Sequence, residues 1–189
     1  MMPRLLVLTD RTQVPTGRTL RDVLDDVAAA GLGDGGALVL REVDLPDHDR
    51  SDLAAHARSL GLPVLAAHRA LPGCLGVHLP AGAAALPDVA WGRSCHTRAE
   101  VAAAAATGAR WATLSPYAAS ASKPGYGPPL PPEVWADLPM PVHALGGIDT
   151  RRAVEARAAG AYGVAVMGAV MRAEAPGAVV VGLLAAVAA

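Results

Sequence analysis

Residues 141–170 read PVHALGGIDTRRAVEARAAGAYGVAVMGAV and contain two short apolar runs separated by one helix-forming segment. The runs PVHAL (141–145) and YGVAV (162–166) are largely continuous, as is typical of parallel strands that are buried on both faces. The segment 149–159 begins at Asp149, a residue type that caps helix N-termini, and is followed by Gly160, which suits the turn after a helix. The stretch therefore predicts a strand–helix–strand unit with a right-handed crossover.

The same unit recurs on the amino-terminal side of this stretch. The further runs predicted as strands are 5–9, 37–41, 63–67, 75–79, 89–93 and 111–115. The segments predicted as helices are 18–30, 48–60, 97–107, 131–137, 149–159 and 175–188. The gaps after the third and fourth runs have room for a turn or two each, so no full helix is expected there.

Eight such strands in series predict a compact α/β fold, a (β/α)₈ TIM barrel forming one domain over residues 1–189. The usual barrel has about 250 residues, so the third and fourth units would be shortened. An open doubly wound sheet is the alternative. It is less favoured because eight strands are many for an open sheet in so short a chain, and because no G-x-G-x-x-G follows the first run.

Composition and charge exclude several classes of protein. The chain is 52% hydrophobic and 17% charged, which indicates a globular protein, and its net charge of −1 without a basic run argues against nucleic-acid binding. The carboxyl-terminal PGAVVVGLLAAVAA has 14 residues, shorter than the about 18 that a membrane span needs, and predicts a buried helix. Cys74 and Cys95 lack metal or redox spacing, and no signal peptide precedes the first run, so a cytoplasmic location is expected.

Two glycine-containing turns follow the last two strands. In a barrel, the loops after the strands form the site, and the loops after the seventh and eighth strands often bind phosphate. Gly146-Gly147 leads directly into a helix, and Met167-Gly168 follows the eighth strand. Glycine lets the backbone approach a ligand closely. We expect a phosphate site here; the alternative is that these glycines only make tight turns.

A long loop of small and polar residues, ASASKPGYGPPL (119–130), follows the sixth strand. It carries Ser120, Ser122 and Lys123, which would suit an anionic ligand at the barrel mouth. Its glycines and prolines favour a loop of defined shape that closes over the site. The alternative is a solvated loop with an ordinary surface lysine.

Histidines follow or end several of the other strands. In GRSCH (92–96), Ser94 and His96 point in the same direction and could both face the mouth, whereas Cys95 is expected to be a small buried residue. His68 follows the third strand, and His143 lies inside the seventh, where it could simply pack. These histidines do not have metal-ligand spacing.

The motifs LREVDL, GVHLP, GRSCHTRAEVAAAAATGARWATLSP, SASKPGYGPPL, HALGGI and GAYGVAVMGAV occur in one order along nearly the whole chain. In this order and spacing they resemble the thiamine phosphate synthase/TenI family. The resemblance implies a TIM barrel and a role in thiamine biosynthesis. It also implies a thiazole phosphate as ligand and, in the synthase, an aminopyrimidine diphosphate with Mg²⁺.

The chain departs from the synthase pattern at the positions that would hold the diphosphate and the metal. Arg41 of the family's Q-x-R-x-K is present, but Val39 and Val43 replace the glutamine and lysine. Ala67-His68 replaces Asn-Asp after the third strand, and PAGAAAL replaces G-Q-x-D after the fourth. Mg²⁺ prefers oxygen ligands, so these changes disfavour the synthase reaction.

GRSCH is closer to the TenI side of the family, whose thiazole tautomerases aromatise a carboxythiazole phosphate by proton transfer without a metal. Pro116 stands where one tautomerase branch has its catalytic histidine. His68 or His96 is therefore expected as the acid/base, with His68 slightly favoured because it stands where a carboxylate is missing. A synthase with a modified Mg²⁺ site and a non-catalytic thiazole-phosphate-binding paralogue remain as alternatives.

The expected partner is thus a small phosphorylated thiazole, with no nucleic acid and no membrane, and the resemblance permits a homodimer. The catalytic candidates are His68, His96 and Lys123. The residues predicted to bind the substrate or its phosphate are Arg41, Ser94, Ser120, Ser122, Lys123, Gly146, Gly147, Met167 and Gly168. No metal ligand and no cofactor are predicted for the tautomerase; Mg²⁺ would be needed only by the synthase.

Overall fold

Eight parallel strands close into a barrel in the computed structural model, which describes residues 2–120 and 127–188. The strands are β1 (Leu5–Leu8), β2 (Gly36–Leu40), β3 (Val64–Ala67), β4 (Val77–Leu79), β5 (Trp91–Cys95), β6 (Trp111–Leu114), β7 (Val142–Leu145) and β8 (Gly163–Val166). They are paired in chain order, and β1 also pairs with β8. The predicted TIM barrel is therefore confirmed, and the open sheet is excluded because its two edge strands would not pair with each other as β1 and β8 do.

Helices surround most of this barrel. They are α1 (Leu20–Ala29), α2 (Leu32–Gly35), α3 (Asp47–Ser59), α4 (Arg98–Ala106), α5 (Thr150–Ala158), α6 (Gly168–Met171) and α7 (Pro176–Ala188). No helix follows β3 or β4, as the short gaps in the sequence predict, although the sequence pattern did not predict the one-turn helices α2 and α6. None of the helices among the described residues is long and apolar enough to cross a membrane.

The helix predicted over 131–137 is wrong. Only a 3₁₀ turn, Pro132–Trp135, forms there. The Arg98 side chain donates hydrogen bonds to the carbonyl oxygens of Glu133, Val134 and Ala136, at 3.2, 3.3 and 2.6 Å. These carbonyls are the groups that a continuing helix would use internally. The segment is thus held by α4 instead of forming a helix of its own.

The apolar side chains form two layers, one between the barrel and the helices and one inside the barrel. The inner layer contains Leu6, Leu8, Ala37, Val39, Leu65, Ala67, Trp111 and Ala165. Trp111 is the largest of these and is 3% exposed. A Cβ atom at Gly92, its partner in the β5–β6 register, would lie 2.2 Å from the indole ring. The indole therefore occupies the space that a β5 side chain would fill.

Candidate functional site

A cavity of about 550 Å³ opens at the carboxyl ends of the strands. It brings together most of the residues that the sequence predicted for the site. Those that line it are Arg41, His68, Ser94, His96, Ser120, Gly146, Gly147, Met167 and Gly168. Ser122 and Lys123 lie outside the described residues, so the predicted role of this part of the loop remains a prediction.

The turn after β7 depends on two glycines in the left-handed region. Gly146 has φ 107° and Gly147 has φ 63°, a conformation that other residues adopt only with strain. A Cβ atom at Gly147 would lie 2.3 Å from the backbone oxygen of Ala119. The Ala118 N–H also donates to the Gly146 oxygen at 3.0 Å. The glycines therefore let the loop after β6 pack directly on this turn, and the turn also lines the cavity.

Directly after this turn, Asp149 begins α5. Its carboxylate accepts a hydrogen bond from the Arg152 backbone N–H at 2.8 Å, which is the predicted N-cap. Arg152 donates from its guanidinium to the Gly147 oxygen at 2.8 Å and lies 3.5 Å from the Asp149 carboxylate. The first turn of α5 thus directs a cation into the cavity beside the glycine turn.

A second cation lies over the turn after β8. Arg172 lines the cavity, and a Cβ atom at Gly168 would lie 2.1 Å from its guanidinium. The guanidinium donates to the Gln13 side chain, which in turn donates to Asp10 at 2.7 Å. The turn after β8 is therefore joined to the turn after the neighbouring strand β1.

Arg41 provides a third positive charge. It extends from the end of β2 to β8, where its guanidinium lies 2.8 Å from the Met167 sulfur and 3.5 Å from the Thr9 oxygen. A thioether and a distant carbonyl are weak acceptors for a guanidinium, whose preferred partners are carboxylates and phosphates. Together the cations Arg41, Arg152 and Arg172 outnumber Asp149, the carboxylate that lines this cavity within the described ranges. The cavity is suited to an anionic ligand.

Sequence reasoning missed Arg152 and Arg172 because it considered only the residues directly after each strand. Arg152 is three residues beyond the N-cap Asp149, in the first turn of a helix that begins at the mouth. Its position was therefore available from the TRRAV pattern. Arg172 follows α6, a one-turn helix that no sequence pattern indicated.

His96 is held in one orientation by the neighbouring strand end. Its Nδ1 atom lies 3.2 Å from both the backbone oxygen and the hydroxyl of Ser115. Because a carbonyl oxygen can only accept, the contact with the Ser115 oxygen favours the tautomer with the proton on Nδ1, in which Nε2 carries the lone pair. Its backbone N–H donates to Glu100 at 2.6 Å, and Thr97 caps α4, so the predicted helix start also fixes His96.

His68 lies at the exposed rim of the same cavity. Its φ is 68°, and its N–H donates to the His78 oxygen at 2.9 Å. Arg50, which is fully buried, donates to the preceding carbonyl of Ala67 at 2.7 Å. Partial burial and the positive charges of Arg41, Arg50 and Arg69 lower the pKa of His68 below its usual value. The backbone around His68 is thus well fixed, but among the described residues no hydrogen bond orients its ring.

His78 forms part of the cavity floor and is buried. Its Nδ1 atom accepts a hydrogen bond from the Trp111 indole N–H at 3.1 Å. Its Nε2 atom lies 3.1 Å from the Ser94 hydroxyl and 3.3 Å from the Thr113 hydroxyl. Burial lowers the pKa of His78 to about 3, so its ring is neutral at physiological pH.

Two other residues that the sequence singled out have structural roles. Cys95 is buried, and burial raises the pKa of its thiol to about 11, so it is not a thiolate. His143 is fully buried and its Nε2 atom lies 2.7 Å from the Pro3 oxygen, at the amino-terminal end of the barrel away from the mouth. Both support the interpretation of these residues as core residues.

The cavity does not fit the magnesium ion that the synthase reaction would use. Where the synthase pattern has carboxylates, the cavity is lined by His68 after β3 and by Pro80 and Ala81 after β4. Over 2–120 and 127–188, no group of three or more His, Cys, Asp or Glu side chains could hold a metal ion. Asp149 is already engaged as the N-cap of α5. Proteins usually hold Mg²⁺ with one or two carboxylates together with substrate phosphates and water, and the cavity-lining residues after β3 and β4 supply no carboxylate.

A family model and the sequence relatives indicate one family. The protein-family model described as thiamine monophosphate synthase matches residues 73–170 of this chain. A thiamine-phosphate synthase from Methanoculleus marisnigri is 36% identical over 187 residues, covering 88% of this chain and 87% of the relative. A relative from Geobacter sulfurreducens is 37% identical over 188 residues, covering 88% and 86%. The solved thiamine phosphate pyrophosphorylase from Pyrococcus furiosus has a TM-score of 0.81 over 98% of this chain and 95% of that chain; at 21% identity this similarity shows the fold.

Proposed function

Because this chain belongs to the thiamine monophosphate synthase/TenI family of thiamine biosynthesis, we propose that it binds a phosphorylated thiazole at the barrel mouth and acts as a metal-independent thiazole tautomerase. The reaction is the aromatisation of a carboxythiazole phosphate. A proton leaves a ring carbon and is returned to the exocyclic carbon, so no atom is gained or lost.

The phosphate end of the ligand is assigned to the turns after β7 and β8. Gly146 and Gly147 allow close approach of the backbone, and Arg152 supplies a charge beside them. Arg172 supplies a second charge over Gly168. This arrangement supports a site for a doubly charged phosphate group.

The ring end is assigned to the ends of β5 and β6. Neighbouring strands in a sheet are about 4.8 Å apart, so the end of β5 is roughly 10 Å from the end of β7. That span suits a phosphoethyl side chain followed by a five-membered ring. With the phosphate at Gly146-Gly147, the ring would lie near Ser94 and His96.

The orientation of His96 is the observation that carries the proposal. Its Nδ1 contact with the Ser115 oxygen leaves Nε2 as a base that can take the ring proton and return it to the exocyclic carbon. His68, which the sequence favoured slightly, lies at the rim with a lowered pKa and an unoriented ring. We therefore assign the acid/base role to His96 instead of His68.

The test follows the isomerisation of carboxythiazole phosphate by NMR in deuterated buffer. We expect His96→Asn to lower kcat at least about 100-fold, as is typical for removal of a general acid/base, and His68→Asn, the matched control, to lower it only a few-fold. Activity should be unchanged by EDTA. Loss of turnover on chelation, or full activity in His96→Asn, would overturn the assignment.

A second candidate is the synthase reaction, which the relatives' names favour. The Methanoculleus marisnigri relative is named a thiamine-phosphate synthase. The cavity-lining residues after β3 and β4 include no carboxylate that could bind Mg²⁺, which disfavours the synthase reaction in this chain. Release of pyrophosphate from aminopyrimidine diphosphate and thiazole phosphate, dependent on Mg²⁺, would establish this activity instead.

A further inference from the structure

The buried hydrogen bonds beneath the cavity determine which atom of His78 carries its proton. Trp111 has only a donor to offer, so the His78 Nδ1 atom that lies 3.1 Å from it must accept. In a neutral ring the single proton is then on Nε2. The Nε2–H group faces the Ser94 hydroxyl at 3.1 Å.

The proton on Nε2 in turn determines what the Ser94 hydroxyl can do. The same Nε2–H group also lies 3.3 Å from the Thr113 hydroxyl, but whichever hydroxyl accepts this proton, Ser94 cannot donate to a nitrogen that already carries one. The hydroxyl hydrogen of Ser94 is therefore directed away from His78. Ser94 is half-buried and lines the cavity, whereas Trp111 is not among the cavity-lining residues.

We propose that Trp111 and His78 are positioning residues that fix Ser94 as a hydrogen-bond donor to the ring carboxylate of the bound thiazole. The proposal rests on the proposed function, because that function places the ring at the end of β5. A hydroxyl oriented in advance binds an anionic oxygen more strongly than one that must first break another bond. The chain would thereby distinguish a carboxylated thiazole phosphate from one that lacks the carboxylate.

Trp91 offers a matched control for Trp111. Both tryptophans are 3% exposed, but Trp91 packs in the layer between barrel and helices, with the Arg93 guanidinium 4.8 Å from its ring centre. Trp91→Phe therefore removes a buried indole without altering the bond to His78. Trp111→Phe removes the N–H that holds the His78 tautomer.

The first measurement uses ligand-free protein with ¹⁵N-labelled histidine. We expect the NMR spectrum near pH 7 to show His78 as the Nε2–H tautomer, and Trp111→Phe to introduce a share of the Nδ1–H form while Trp91→Phe does not. This measurement on the unsubstituted chain needs no variant, so it is informative even if Trp111→Phe fails to fold. A His78 ring protonated on Nδ1 in the unsubstituted chain would overturn the proposal.

The second measurement compares affinities for thiazole phosphate with and without the ring carboxylate. Ser94→Ala and Trp111→Phe should each weaken binding of the carboxylated ligand about tenfold and change binding of the other less than about twofold. The affinity of the double variant for the carboxylated ligand should fall about tenfold and not a hundredfold, because the two substitutions remove the same interaction. Losses of affinity that add to about a hundredfold in the double variant would refute the inference. So would a Trp111→Phe variant that still prefers the carboxylated ligand as strongly as the unsubstituted chain. Discrimination that depends on Trp111 in a protein without turnover would refute only the tautomerase activity.

Discussion

Arg152 shows how a single side chain can belong to both the fold and the site. Its backbone N–H completes the cap of α5, while its guanidinium binds the Gly147 oxygen and faces the cavity. A cation in the first turn of a helix is unfavourable for the helix dipole. An anion bound beside it would reverse that penalty, so the position is better suited to a ligand than to helix stability.

The neighbouring arginine provides the control for a test of this role. We expect Arg152→Ala to weaken binding of thiazole phosphate by about 1–3 kcal/mol, the usual loss for a charge-assisted hydrogen bond. Arg151→Ala should leave affinity unchanged, because Arg151 is exposed and pairs with Glu155 on the outer face of α5. Calorimetric titration of both variants measures the difference. Equal losses would show that the effect is one of general charge.

At the residue scale, the sequence predicts side chains that directly follow a strand more readily than those that reach the site from elsewhere. Ser94, His96 and Gly146 reach the cavity because parallel strands end at one mouth. The protonation of His78 depends on Trp111, which is 33 residues away. No local pattern contains that contact.

The turn after β7 and the loop after β6 form one packed unit at the scale of elements. Gly147 has no room for a side chain, because the Ala119 oxygen and Ala118 occupy that space. The Leu130 N–H also donates to the Pro116 oxygen at 2.9 Å, which fixes the far end of the same loop. A change at Gly147 should therefore displace residues 118–120, the described part of this loop that lines the cavity.

We expect Gly147→Ala to lower the free energy of unfolding by about 1–2 kcal/mol for the left-handed backbone, with a further loss from the displaced loop. Ligand affinity should fall about tenfold, because the same turn lines the cavity. Gly61→Ala serves as the control: its φ is 81°, but no atom lies within 4 Å of the added carbon. Urea unfolding and titration with thiazole phosphate distinguish strain alone from the loss of the site. Unchanged affinity in Gly147→Ala would show that the turn is only structural.

The sequence predicted the strands and long helices because their patterns are continuous and their caps are explicit. Every observed strand end lies within two residues of its prediction. The segment 131–137 failed because Arg98, from another helix, binds its carbonyl groups. Competition for backbone groups by a distant side chain is not visible in a local pattern.

At the scale of the whole molecule, two buried histidines make stability depend on pH. Burial lowers the pKa of His78 to about 3 and that of His143 to about 4, whereas an unfolded histidine titrates near 6.5. Between these values the unfolded chain binds protons that the folded chain does not. Lowering the pH through this window therefore favours unfolding.

We expect the free energy of unfolding to fall as the pH drops below about 6.5, with each histidine contributing up to about 1.4 kcal/mol per pH unit. Urea unfolding across this range measures the slope. NMR titration of the folded protein should show both rings neutral at pH 5. Protonation of either ring near pH 6.5 in the folded state would contradict the expectation.

The packing of the Trp111 indole inside the barrel also limits which substitutions evolution can accept nearby. Because a β5 side chain at position 92 would collide with Trp111, the two positions are not free to diverge separately. A homologue with a larger side chain at position 92 is expected to have a smaller residue in place of Trp111. It would then lack the indole N–H that fixes the tautomer of His78. Covariation between these two sites would then mark which members of the lineage keep the selectivity inferred for this chain.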